Sequence, residues 1–361
     1  MSEDSGNRLG LGVLFGGPSG EHEVSLMSAR AVWESLDLHR YRPHALAIAR
    51  DGTWLKVADP ARLFECGRVD GFDADGSERV TLLPGAGGGL FVESGRLDVD
   101  VVFPVLHGPF GEDGSVQGAL EILGIPYVGA GVASSGVSMD KHLMKRMFSS
   151  ADLPVVEYRC FASREVRAKP AEVASTVKRE VGYPCFVKPA ALGSSLGINR
   201  VDSEAELVPA MNAAADLGEK VLVERCMVGR ELECSVLGNG EPKVAGPGEV
   251  VPAGDFYDYN SKYFDDRTKL LVPAPVDREI GCRARELSLE AFRAVDARGM
   301  ARVDLFYSPG DGRLVVNEIN TIPGFTPMSM YPRLWIEEGF TFGSLVDRLV
   351  DLALEEGNAH N

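Results

Sequence analysis

Arg302, Asp304, Glu318 and Asn320 fall at alternate positions of two apolar-rich runs, ARVDLFY (301–307) and RLVVNEIN (313–320), joined by SPGDG (308–312). A Pro/Gly/Asp cluster between alternating runs signals a hairpin. With the turn centred near Gly310–Asp311, Asp304 comes roughly opposite Glu318. Side chains repeat with period two along a strand, so Arg302 shares a face with Asp304, and Glu318 shares one with Asn320. Two carboxylates facing each other across a ladder repel unless a cation lies between them. Oxygen-only ligands suit a hard cation such as Mg²⁺, which is commonly held by one or two carboxylates beside phosphate oxygens. The hairpin alone fits a solvated face of alternating charge equally well. Val303, Leu305, Val315, Val316 and Ile319 on its reverse establish only that one side is buried.

A second group of residues has phosphate chemistry. Lys188 lies at the end of the apolar run CFVKPA (185–190), and ALGSSLG (191–197) follows. The backbone N–H groups of such a loop, with the hydroxyls of Ser194 and Ser195, can cradle phosphates while lysine supplies point charge. The pattern GxxxxGK[ST] is absent, so this is not a P-loop. Lys141 opens a helix; Glu224 ends a VLVE strand and Glu231 lies just beyond it, where both could accept hydrogen bonds from an adenine amine and ribose hydroxyls. Each of these residues, taken singly, also reads as an ordinary surface charge. GGPSGEHEVS (16–25) follows a strand and opens a helix, and a helix N-terminus is open to an anion. Its glycines at 16, 17 and 20 do not form GxGxxG, which disfavours a dinucleotide-binding oxidoreductase. Glu21 and Glu23 also fit simple helix-dipole complementarity. His107 ends an apolar strand, either as a turn histidine or facing the crevice where ligands of α/β proteins collect.

Three units are needed to position these groups. LGLGVLF (9–15), HALAIA (44–49) and VDVVFPVL (99–106) read as buried strands, with helices after residue 25 and over 113–124. They predict an N-terminal Rossmann-like α/β domain over 1–133, interrupted at 66–98 by a Gly/Asp-rich excursion carrying about one short strand. A central unit, 134–227, holds helices at 138–150, 171–181 and 203–217 between strands at 155–161, 185–190 and 221–227. A C-terminal unit, 228–361, holds strands near 231–237 and 243–250, a polar aromatic loop at 253–270, a long helix at 278–297, the hairpin, and terminal helices. The expected class is α/β with α+β elements in three domains.

Composition agrees with several domains. Single cores stop growing at about 250–300 residues, and this chain has 361, of which 45% are hydrophobic and 25% charged. The net charge of −16, from 37 basic and 53 acidic residues, argues against a nucleic-acid partner. Six scattered cysteines without a CxxC pair read as reduced, mostly buried thiols. The polar start MSEDSGNRLG and the lack of any run of 18 apolar residues predict a cytoplasmic protein with no membrane partner.

The order of the motifs carries more than any one of them. GGPSGEHEVS (16–25), LHGPFGEDGSVQG (106–118), MDKHLMK (139–145), FVKPAALGSSLGI (186–198), FYDYNSKY (256–263), ARVDLF (301–306) and NEINTIPGFTPMS (317–329) run as in D-alanine–D-alanine ligases, and the chain resembles that family over about residues 9 to 355. The resemblance implies an ATP-grasp fold, ATP as substrate, two Mg²⁺ ions (with Mn²⁺ as substitute), a homodimer, and ligation of two D-alanines through a D-alanyl phosphate for peptidoglycan precursor synthesis. It implies that Glu21 binds the first amino group, with His107 nearby. Lys141, Lys188 and Lys262 would hold phosphates, helped by Ser194 and Ser195. Glu224, Arg225, Glu231 and Phe256 would surround adenosine. Asp304, Glu318 and Asn320 would hold metal, Arg302 and the Gly324 N–H would form the oxyanion site, and Ser329 would grip the second carboxylate. Ser194 and Tyr263 would join the flexible loops to Glu21 across the substrates. The excursion at 66–98 is longer than in compact relatives, and Cys226 stands where a bulkier residue is common. Lys262-Tyr263 matches the dipeptide-forming members, which favours an amine over D-lactate as second substrate. Alternatives are another second substrate on the same fold, or a nucleotide-binding paralogue without catalysis. Arg302→Ala is expected to lose about 10²–10³ in rate with the fold intact.

Overall fold

The computed structural model describes residues 8–69, 76–193, 196–252 and 268–359. Ser194, Ser195, Phe256, Lys262 and Tyr263 therefore lie outside the described residues. The N-terminal sheet runs in the order Glu78–Arg79, Trp54–Lys56, Tyr41–Ile48, Leu9–Gly16, Val101–Pro104, and its last three strands are parallel. Leu9–Gly16 is buried almost throughout, as a central parallel strand covered on both faces must be. It ends at Gly16 with φ +93°, where a Cβ would stand 2.3 Å from the Ile48 carbonyl oxygen. Only glycine fits there, so the chain turns sharply into the helix His22–Ser35.

The central sheet is antiparallel, in the order Asn199–Val201, Cys185–Pro189, Lys220–Arg225, Tyr158–Ala162. The C-terminal sheet, also antiparallel, runs Lys269–Leu271, Lys243–Val251, Arg230–Gly238, Gly299–Ser308, Arg313–Asn320. Helix Lys141–Ser150 starts on Asp140, whose carboxylate caps the N–H groups of His142 and Leu143. That helix sends Met144 and Phe148 into the core of the C-terminal sheet, beside Leu232, Val303 and Val316. The central sheet keeps a separate core around Val187, Met211 and Val223.

The first and last parts of the chain share a core. Leu11, Val13, Phe15 and Phe103 pack with Phe325, Tyr331, Leu345, Val346 and Leu349. At the rim, Tyr41 donates to Asp347 at 2.6 Å, and Arg40 pairs with Asp347 and Asp351. The final helix, Phe342–Ala359, thus closes over the first domain.

Several expectations change. Among its described residues the excursion carries four short strands, not about one: Glu78–Arg79 extends the first sheet, while Thr81–Leu83, Gly89–Val92 and Gly95–Arg96 form a small sheet of their own. Their brevity and glycine content hide the alternation that reveals longer strands. The helix expected at 138–150 is two, Val132–Met139 and Lys141–Ser150, broken at the extended Asp140. All six cysteines are unbonded, but only Cys185 and Cys234 are buried and Cys66 is exposed. No helix among the described residues is long and apolar enough to cross a membrane.

Candidate active site

One cleft of about 1580 Å³ takes its lining from all three parts of the chain, including Glu21, His107, Lys141, Lys188, Glu224, Arg225, Glu231, Arg302, Glu318, Asn320, Gly324 and Ser329. The hairpin forms one wall. Its pairing is continuous from Ser308↔Arg313 to Leu305↔Val316, and carried on unbroken it would set Asp304 against Asn317, with Glu318 on the far face. A register shift between Asp304 and Leu305 inserts one residue, so Asp304 faces Glu318 and Arg302 faces Asn320. The bulge brings all four candidate side chains to one side.

Asp304 is 1% exposed. Arg302 grips it side-on, Nε to Oδ1 and Nη2 to Oδ2, both at 2.7 Å, and Nε also lies 3.2 Å from Glu233. Asn320 donates its Nδ2 to Asp304 Oδ2 at 3.0 Å, so the amide oxygen is the atom that would serve a cation. Glu231, Glu233 and Asp304 bring carboxylate oxygens within 4.8 Å of one another. Glu231, assigned by sequence to ribose, thus sits on the same carboxylate-rich wall. This all-oxygen donor set fits a hard divalent ion.

The opposite wall is basic. Lys188 Nζ lies 2.6 Å from Glu224 Oε2, and Lys145 Nζ lies 2.9 Å from Glu224 Oε1. Burial alone would push the Glu224 carboxyl up, but the ammonium groups of Lys145 and Lys188 hold it at about 2. Burial pulls the Lys145 ammonium below its ordinary range against the pull of Glu224. Lys141 donates to the Leu192 carbonyl at 2.9 Å and approaches Glu318 at 3.7 Å, so it spans the two walls. Arg225 is exposed at the strand end, 4.0 Å from Glu157.

The N-terminal domain supplies the floor. Glu21 is 8% exposed, and a Cβ on Gly108 or Gly193 would come 2.8 or 2.9 Å from its Oε2. The Gly/Ser loop of the central unit therefore reaches Glu21, up to the residue before Ser194. His107 is buried, and burial lowers its pKa, so the ring is neutral. Its Nδ1 lies 3.1 Å from the Ile322 carbonyl, and its Nε2 lies 3.2 Å from Ser28 Oγ, which accepts the Phe325 N–H at 3.3 Å. These contacts assign the proton to Nδ1. His107 thus pins the loop that carries Gly324. A Cβ on Gly324 would meet Ser329 Oγ at 3.1 Å, and Ser329 Oγ accepts the Thr326 N–H at 3.1 Å.

Sequence reasoning missed Lys145, Glu233 and Glu112. Lys145 lies one helical turn after Lys141 and so shares its face. Glu233 lies two residues beyond Glu231 on one strand face. Glu112 accepts the Gly108 N–H at 2.8 Å; burial, then the charge of Glu21, pushes its carboxyl up to about 8. Only the GEDG run hinted at it.

Two antiparallel sheets closing a lysine- and carboxylate-lined cleft beside an N-terminal α/β domain define a ligase of the ATP-grasp class. The family model described as "D-ala D-ala ligase N-terminus" matches residues 10–130, and "D-ala D-ala ligase C-terminus" matches 147–351. The D-alanine–D-alanine ligase of Thermoanaerobacter sp. (strain X514) is 45% identical over 96% of this chain and 97% of its own. That of Halothermothrix orenii is 42% identical over 97% and 99%. Among solved structures, the ligase of Coxiella burnetii matches with TM-score 0.87 and 34% identity over 98% of this chain and 96% of that one. The VanG D-Ala:D-Ser ligase of Enterococcus faecalis matches with TM-score 0.87 and 34% identity over 96% and 100%. The chain belongs to the D-alanine–D-alanine ligase family.

Proposed function

We propose that this ATP-dependent ligase joins two D-alanines to D-alanyl-D-alanine through a D-alanyl phosphate, serving peptidoglycan precursor synthesis. The observation that carries the reading is Lys141 Nζ at 3.7 Å from Glu318: a lysine of the phosphate wall meets a carboxylate of the hairpin wall. Glu21 holds the first ammonium, and that substrate's carboxylate attacks the γ-phosphorus, forming the acyl phosphate as the bond to the β,γ-bridging oxygen breaks and ADP leaves. Lys141 and Lys188, with Lys262, neutralise phosphate charge, since catalysis of such transfers is mainly positioning and electrostatics. Glu224, Arg225, Glu231 and Phe256 receive the adenosine. Asp304, Glu318 and Asn320 would hold Mg²⁺ or Mn²⁺, two ions in all, which supply further positive charge to the phosphates when bound. Arg302 and the Gly324 N–H stabilise the tetrahedral oxyanion as the second amine attacks the acyl carbon and phosphate leaves. Ser329 orients the second carboxylate, while Ser194 and Tyr263 exclude water from the acyl phosphate.

We assign functional boundaries at about 133 and 227, with the proviso that helix Lys141–Ser150 packs on the C-terminal sheet. Family resemblance supports a cytoplasmic homodimer, tested by light scattering in solution and by cell fractionation. The equal likeness to a D-Ala:D-Ser ligase makes the second substrate the point to test. Mass spectrometry of products from ATP, Mg²⁺ and a mixture of D-alanine, D-serine and D-lactate should give D-alanyl-D-alanine as the main product. A dominant mixed dipeptide or ester overturns the assignment.

A further inference from the structure

Glu224 carries two ammonium groups, and they are not equivalent. Lys188 ends a strand and lines the cleft, where a triphosphate can recruit it. Lys145 has a fully buried side chain, 3.4 Å from the Asn317 carbonyl and 5.8 Å from the centre of the Tyr158 ring. Its helix is anchored by Met144 and Phe148, both 0% exposed, so the ammonium stays where the backbone puts it. When phosphates draw Lys188 away, a buried carboxylate with no remaining cation would be costly and would take up a proton. A protonated carboxyl donates a hydrogen bond, whereas a carboxylate only accepts. The first suits a 6-oxo purine and the second a 6-amino purine.

We propose that Lys145 is a positioning residue for nucleotide selection, holding Glu224 ionised and aimed at the base so that Lys188 can move to the phosphates without loss of the preference for a 6-amino purine. This rests on the assignment of Glu224 to the adenine amine. The fixed cation sets base selection, and the recruitable one serves the chemistry.

The test is steady-state kinetics with ATP and with inosine triphosphate, on Lys145→Met, Glu224→Gln and the double variant of the full chain. The wild-type enzyme should show a KM about tenfold or more lower for ATP, the worth of one charge-assisted hydrogen bond. Lys145→Met should narrow that preference to within about threefold through KM, with kcat at saturating ATP falling much less. Glu224→Gln should narrow it as far, and the double variant no further, because Lys145 acts through Glu224. Lys145→Gln, which removes the charge but keeps hydrogen-bonding capacity, is read in the same way if Lys145→Met does not fold. A folded Lys145 variant that keeps the wild-type preference, or loses both nucleotides equally, overturns the proposal while Glu224→Gln still loses the preference. A Glu224→Gln enzyme that retains the preference overturns instead the assignment of Glu224 to the base, and the proposal with it.

Discussion

The two walls of the cleft solve opposite electrostatic problems. On the central wall two cations, Lys145 and Lys188, hold one carboxylate, Glu224. On the hairpin wall one cation, Arg302, serves two carboxylates, Asp304 and Glu233, with Glu231 nearby. The first gathers positive charge, which suits a polyanion, and the second gathers carboxylates, which suit a cation. A nucleotide bound together with a divalent ion completes both at once. That complementarity of charge between the walls is what marks a candidate working cleft.

Arg302→Ala breaks the comparison most severely. Rate should fall by about 10²–10³, as for loss of one oxyanion donor. The structure revises the accompanying expectation of an intact fold: Arg302 is the partner of Asp304 and Glu233, 1% and 3% exposed at the side chain. Removing it should cost about 3–5 kcal/mol, as when one member of a buried pair is lost, read as a lower urea midpoint. Added Mg²⁺ should raise the variant's midpoint more than that of the wild type; an equal rise would remove the cation from the hairpin wall.

Lys188→Met should come next, raising KM for ATP by about tenfold to a hundredfold, the range for a hydrogen bond to a charged group. Lys145 keeps Glu224 paired, so stability should change little, checked by thermal melting. A large drop in melting temperature would show that Lys188, too, is structural.

Glu112→Gln should have the smallest effect on catalysis, its signature being the pH dependence of stability. A carboxyl raised in the folded state to about 8 from its ordinary 4.5 binds more protons folded than unfolded. Its contribution is therefore full below about pH 4.5 and declines as pH rises, levelling off above about 8. Unfolding by urea at several pH values should show that decline in the wild type and a flatter profile in the variant. Parallel profiles would place the Glu112 carboxyl in water.

The hairpin wall was the more legible of the two from sequence. Alternation and turn residues placed Arg302, Asp304, Glu318 and Asn320 together, because the period of a strand and the length of a tight turn are local properties. The bulge that completes their alignment leaves no such signature in the residue pattern, and it shows only in the pairing of the two strands. The central wall was half legible. Lys188 stood out beside its Gly/Ser loop, whereas nothing local singled out Lys145, since only tertiary packing reveals that its face is buried. His107 drew notice at a strand end and lines the cleft, but its part in holding the Gly324 loop needs contacts across more than two hundred residues, out of reach of any spacing rule.

The shared packing of the chain's two ends has a consequence for synthesis. Leu11, Val13 and Phe15 belong to the same core as Leu345, Val346 and Leu349, which follow them by more than three hundred residues. Until residue 342 and beyond emerge, the first domain offers an apolar face that it cannot cover by itself, a state open to aggregation or chaperone capture. Docking of the final helix, more than completion of the first sheet, is then the step that seals this core.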